Sequence, residues 1–129
     1  MEIPFDQQVT FLYVSDLDAS TAFYGDTLSL PMVLDQGGCR IFQASQNGFI
    51  GICMCTKERP STPDGLIVTL VTDDVDGWFE RLAAKGVQFV KPPTENAEYR
   101  IYHCFLRDPD SHQIEIQRFE DPGWAKPDS

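Results

Sequence analysis

"TLVTDDVDGWFERLAAKGV", Thr69 to Val87, decides the fold, because its plan occurs twice in the chain. A β-branched run leads into Asp74, and apolar residues then recur at helical spacing: Val75, Trp78, Phe79 and Leu82. Asp74 suits a helix N-cap and Gly86 suits the stop. "FLYVSDLDASTAFYGDTLSL", Phe11 to Leu30, keeps the same order, with Asp16 as the cap and Leu17, Thr21, Phe23, Tyr24 and Leu28 on the mainly apolar side. Leu12 matches Leu70, Asp16 matches Asp74 and Asp18 matches Asp76, each pair 58 residues apart.

The segments after each helix also repeat. The first half continues with "MVLD", "CRIFQA" and "FIGICMC"; the second continues with "VQFV", "YRIYHCFLR" and "QIEIQRF". Each half is therefore a strand, a helix and three more strands. The prolines and glycine of "TKERPSTPDG" mark a seam between them. The expected organisation is a single domain over 1–129, with module one at about 7–57, a linker at about 58–64, module two at about 65–120 and a C-terminal tail at 121–129. A βαβββ module cannot bury both faces of its sheet alone. The predicted fold class is α+β: two βαβββ modules forming a curved mixed sheet around a cavity, with helices on the other side.

Composition narrows the function. The formal charge is -10, from 20 acids against 10 bases, which opposes contact with nucleic acid or an anionic membrane. No run approaches the roughly 18 apolar residues of a membrane span, and the start lacks a signal-peptide pattern. A cytoplasmic protein is expected. Cys39, Cys53, Cys55 and Cys104 form no C-x-x-C pair, and with the two histidines they complete no zinc spacing. They are expected as reduced, apolar core or pocket residues.

The chemistry-bearing side chains cluster near the end. In "HCFLRDPDSHQIEIQRF", alternation puts Ile114 and Ile116 on one face and Gln113, Glu115 and Gln117 on the other. His103 and Phe105 share a face of the preceding strand, within reach of the same ligand as Glu115. Glu115 and His103 are therefore the candidate catalytic pair, an acid–base couple. Val9, Phe11, Tyr13, Ile67, Thr69, Phe105 and Gln117 are the candidate ligand pocket, largely apolar with a few polar anchors. Arg40, in "GGCRIFQ", joins them as a cation suited to an anionic group; an edge arginine paired with a nearby acid is its other reading. His112, in the "DPDSH" turn, is expected to be exposed.

The duplicated βαβββ unit, with "VSDLDASTAFYGDTLSL" and "FLRDPDSHQIEI", resembles the vicinal-oxygen-chelate superfamily of glyoxalase, bleomycin-resistance and extradiol-dioxygenase proteins. The resemblance runs from about Val9 to Phe119 and departs locally, where Ser111 and His112 replace the family's Gly and Asn after "DPD". It implies a metal ligand at Glu115, with the other ligand positions at Val9, Gly51 and Ile67. Those three side chains carry no donor atoms, so neither metal nor cofactor is expected. The resemblance further implies a homodimer, with Trp124 against the partner, that binds a small molecule of unknown identity. The alternatives are a metal-independent isomerase, lyase or epimerase using Glu115 and His103, or a metal-dependent glyoxalase-type enzyme. A Glu115→Gln change is expected to leave folding intact or improve it, because it keeps shape and hydrogen-bonding capacity while removing the charge of a lone cavity carboxylate.

Overall fold

The computed structural model describes residues 2–124. Both aspartate caps form: Asp16 Oδ1 accepts from the Ala19 amide at 3.1 Å, and Asp74 Oδ1 accepts from the Gly77 amide at 3.1 Å. They open α1 (Leu17–Thr21) and α2 (Val75–Ala84). Helix α1 runs on as a π-helical segment, Ala22–Thr27, in which the Leu28 amide donates to the Phe23 carbonyl five residues back.

The first module supplies β1 (Gln8–Val14), β2 (Met32–Asp35), β3 (Cys39–Gln43) and β4 (Gly48–Met54); the second supplies β5 (Ile67–Val71), β6 (Lys91–Asn96), β7 (Ile101–Arg107) and β8 (Gln113–Phe119). Each set builds its own four-stranded mixed sheet, in the orders β1-β4-β3-β2 and β5-β8-β7-β6. The first and last strands of each module pair in parallel, and the rest are antiparallel. This α+β fold of two βαβββ modules is the one the repeat predicts.

The chain divides into two compact units. Among the described residues, one holds 2–64 together with Asp108–His112; the other holds Gly65–Arg107 and 113–124. The turn between β7 and β8 thus belongs with the first unit, where Asp110 Oδ2 accepts from the Ser15 amide at 2.9 Å and from the Ser61 hydroxyl at 2.6 Å.

In the first unit, Leu12, Val14, Ile50, Ile52 and Phe42 bury one sheet face with Leu17, Tyr24 and Leu28 of the helical segment. In the second, Leu106, Cys104, Ile114 and Ile116 are buried on the face of the sheet that bears Val75 and Leu82 of α2. On the opposite faces, Val9 and Phe11 of β1, and Ile67 and Val71 of β5, are exposed, whereas His103, Glu115 and Gln117 are buried. No helix among the described residues is long and apolar enough to cross a membrane.

Three expectations are corrected. "VQFV", Val87–Val90, is not a strand; the strand lies at Lys91–Asn96. Its two prolines are tolerated because β6 is an edge, and Phe89 instead packs on Phe79 of α2, ring centroids 4.5 Å apart. Cys39 and Cys53 are not reduced: opposite each other on β3 and β4, they form a disulfide, while Cys55 and Cys104 are free. His112 is not exposed. Ser111, at φ 71°, adopts the left-handed conformation natural to the family's glycine, and the tightened turn folds His112 back onto Asp108.

Candidate functional site

Strand register places the side chains on the open face of the β5-β8-β7-β6 sheet. Glu115 on β8 sits between Thr69 on β5 and Phe105 on β7, and one row along, Gln117 sits between Val71 and His103. Opposed residues share a face, so Thr69, Glu115, Phe105, Gln117 and His103 form one patch. Thr94 on β6 completes the second row opposite His103.

The patch is organised around the Glu115 carboxylate, which is buried. Thr69 Oγ1 donates to Oε1 at 2.8 Å. The Gln117 amide nitrogen, in the orientation that satisfies its hydrogen bonding, donates to Oε1 at 3.0 Å and to Oε2 at 2.7 Å. His103 Nδ1 lies 2.6 Å from Oε2, and both side chains are at least nine-tenths buried. Glu115 is therefore not a lone carboxylate: its acceptor positions are already taken by three neighbours.

The remaining polar atom is on the other side of the imidazole. His103 Nε2 is buried and has no hydrogen-bond partner in the chain. Phe105 stands edge-on to the ring, centroids 5.2 Å apart. Chemically the arrangement is a carboxylate holding a histidine by one nitrogen and presenting the other, the geometry of an oriented acid–base group.

The donor set does not fit a metal ion. Of the four positions the resemblance marks, Val9, Gly51 and Ile67 bring no donor atom, and Glu115 is saturated. Gly51 occupies on β4 the place Glu115 has on β8, and Phe11 lies against it: a Cβ at Gly51 would run into the Phe11 ring. Among the described residues, no group of three His, Cys, Asp or Glu side chains is arranged to hold a metal.

The other predicted pocket residues divide between faces. Val9, Phe11 and Tyr13 lie on the open face of the β1-β4-β3-β2 sheet, where Arg59 Nη1 donates to the Tyr13 hydroxyl at 2.8 Å. No sequence pattern pairs those two residues, 46 positions apart. Arg40 leaves the pocket list. Its register with Ile52 puts it on the helix side of the sheet, and there it meets Thr21 at 2.9 Å, Asp18 at 3.3 Å and Asp35 at 3.6 Å.

A second buried cluster surrounds Asp108. Its Oδ2 accepts from the Tyr24 hydroxyl at 2.8 Å and lies 2.8 Å from His112 Nδ1; its Oδ1 accepts from the amides of Asp110 and His112. The hydrogen bond to Asp108, opposed by burial, raises the His112 pKa above its usual value. Burial, with Asp108 adding to it, pushes the Tyr24 hydroxyl far above the usual phenol range. Burial also acts to raise Asp110, but hydrogen bonds from Ser61 and Ser15 outweigh it and hold the carboxyl below its usual value. All these partners are internal, so the cluster anchors a turn.

Solved structures of known proteins share this architecture. TnmS3, an antibiotic binding protein from Streptomyces sp. CB03234, is 25% identical with a TM-score of 0.73, covering 92% of this chain and 98% of its own. A lactoylglutathione lyase from Agrobacterium tumefaciens is 24% identical with a TM-score of 0.76, covering 95% of this chain and 100% of its own. The uncharacterized protein YraH of Bacillus subtilis (strain 168) is 27% identical over 83% of this chain and 93% of its own length. The family description "Glyoxalase/Bleomycin resistance protein/Dioxygenase superfamily" matches residues 7–116. With that match spanning both βαβββ modules and the strand that carries Glu115, the chain belongs to the glyoxalase/bleomycin resistance protein/dioxygenase superfamily.

Proposed function

We propose that this protein binds a small molecule at the Glu115–His103 patch without the metal ion that the family resemblance implies there. The observation that carries the reading is the state of Glu115: the one acid among the metal-ligand positions already accepts from Thr69, Gln117 and His103. The likeness to an antibiotic binding protein supports a binding role. Exposed apolar residues on both open faces, Phe11 and Val71 among them, support a homodimer that covers them. A metal-independent isomerase, lyase or epimerase is the second reading, favoured by the unpartnered Nε2 of His103.

The test is elemental analysis of untreated protein, followed by calorimetric titration with Zn²⁺, Ni²⁺, Mn²⁺ and Fe²⁺. The expected result is no stoichiometric metal and no saturable uptake. One tightly held equivalent per chain would overturn the proposal. Native mass spectrometry of the same sample would reveal a co-purified organic molecule.

A further inference from the structure

We infer that His103 Nε2 is the proton-accepting atom of this site, and that its ligand carries an acidic hydroxyl, phenolic or enolic, on a flat apolar body. The inference rests on the metal-free reading above and specifies its chemistry. His103 Nδ1 is 2.6 Å from a carboxylate oxygen that two other donors also serve. With those donors already on the carboxylate, the bond between them is Nδ1–H donating to Oε2, and in the neutral form of such a ring Nε2 is the acceptor nitrogen. That nitrogen is buried and unpaired. A buried acceptor without a donor is unfavourable, and a ligand hydroxyl supplying the donor relieves it.

The surroundings specify the rest of the ligand. Phe105 is edge-on to the imidazole and half-buried, so it is the side chain a flat ring would displace or stack upon. Ile67 and Val71 leave apolar surface on the same sheet face. Register sets Thr94 and Gln117, both neutral, on either side of His103; the charged groups on this face include Glu115, against the ring, and Lys91, opposite Phe105 one row along. In the proposed step the ligand O–H bond breaks and an N–H bond forms at Nε2. The ligand keeps the electron pair as an oxyanion, beside an imidazolium balanced by Glu115. Phenols and enols are chosen over aliphatic alcohols because their acidity lies nearer that of an imidazolium, about 6.5 for an ordinary histidine. His103 touches the ligand; Glu115 acts through His103 and is a positioning residue.

The experiment is titration with 4-nitrophenol, whose anion absorbs separately from the neutral phenol, at a pH below the titration of the free probe. Wild type should bind it saturably, with the bound probe in the nitrophenolate form. His103→Gln should lower the bound nitrophenolate fraction at least tenfold. Glu115→Gln should shift the pH profile of nitrophenolate formation without abolishing binding. A ¹⁵N spectrum of wild-type histidine should show Nε2 gaining a proton as the probe binds, a readout that needs no variant to fold. Saturable binding of neutral nitrophenol, or a nitrophenolate signal unchanged in His103→Gln, would overturn the inference and leave the small-molecule reading standing. Absence of saturable binding would overturn it too. Stoichiometric metal in the same sample would instead remove the reading beneath it.

Discussion

Glu115 shows how far a single residue can be read without its neighbours. Alternation around Ile114 and Ile116 puts it on the face away from the helix, and the structure agrees. What alternation does not convey is that Thr69, 46 positions away, and His103 on the adjacent strand both end at its carboxylate. The mutational expectation therefore reverses. Glu115→Gln leaves three donors for one amide oxygen, and an unsatisfied buried donor costs about 1–3 kcal/mol. We expect a loss of about 2–3 kcal/mol in denaturant unfolding at neutral pH, and unchanged stability would count against the network. His112 is hidden from the sequence in a different way. Turn formers suggest solvent, whereas Ser111 at positive φ folds the histidine inward, onto Asp108. Its pKa is raised in the fold above the ordinary value of about 6.5, so its contribution to stability is full below that pH. That contribution is lost as pH rises through the folded value. Melting temperatures of wild type and His112→Gln measured upward from about pH 6 should therefore converge. A constant gap would show that protonation of His112 adds nothing.

At the level of elements, the helix caps are the most legible feature, since Asp16 and Asp74 need only the amides three residues ahead. Strand β6 is the least legible. Its composition, "KPPTEN", argues against any strand, and only its position at an edge makes it one. The paired strands β1–β4 and β5–β8 keep the same register, with Phe11 opposite Gly51 where Thr69 stands opposite Glu115. One module thus fills with an aromatic ring the space in which the other holds a carboxylate. Gly51→Ala should displace the Phe11 ring and cost about 1–3 kcal/mol, as overpacking does. The pair Gly51→Ala with Phe11→Thr should recover most of it in the same unfolding assay. A Gly51→Ala protein as stable as wild type would mean that the ring yields freely.

For the whole molecule, duplication makes the α+β architecture readable without any site information, because a register of 58 residues repeats caps and strands together. The disulfide is not readable, since Cys39 and Cys53 meet only once β3 is laid against β4. Closing a separation of 14 residues is worth about 3 kcal/mol at most on chain-entropy grounds. Reduction should lower the denaturation midpoint accordingly, and intact mass under non-reducing conditions should show two hydrogens fewer than the reduced chain. An unchanged midpoint would assign the bridge no stabilising role. Assembly is tested by light scattering. The exposed apolar open faces lead us to expect a dimer mass at micromolar concentration, and a monomer mass would remove the homodimer from the proposal. Trp124, expected against a partner, stacks on Phe119 of its own chain at 3.8 Å. Of the C-terminal tail at 121–129, residues 125–129 lie outside the described residues.

The two prolines of β6 have a consequence for how this protein can fail. Pro92 and Pro93 lie where the register of β6 against β7 shifts, and neither has an N–H to offer a neighbouring strand. A foreign strand arriving at that margin finds the hydrogen-bond ladder broken. Strand β2, "MVLD", is the corresponding margin of the other sheet, with Met32, Val33 and Leu34 exposed and no proline among them. Fibril growth by strand addition, where it occurs, should therefore begin at β2 and not at β6.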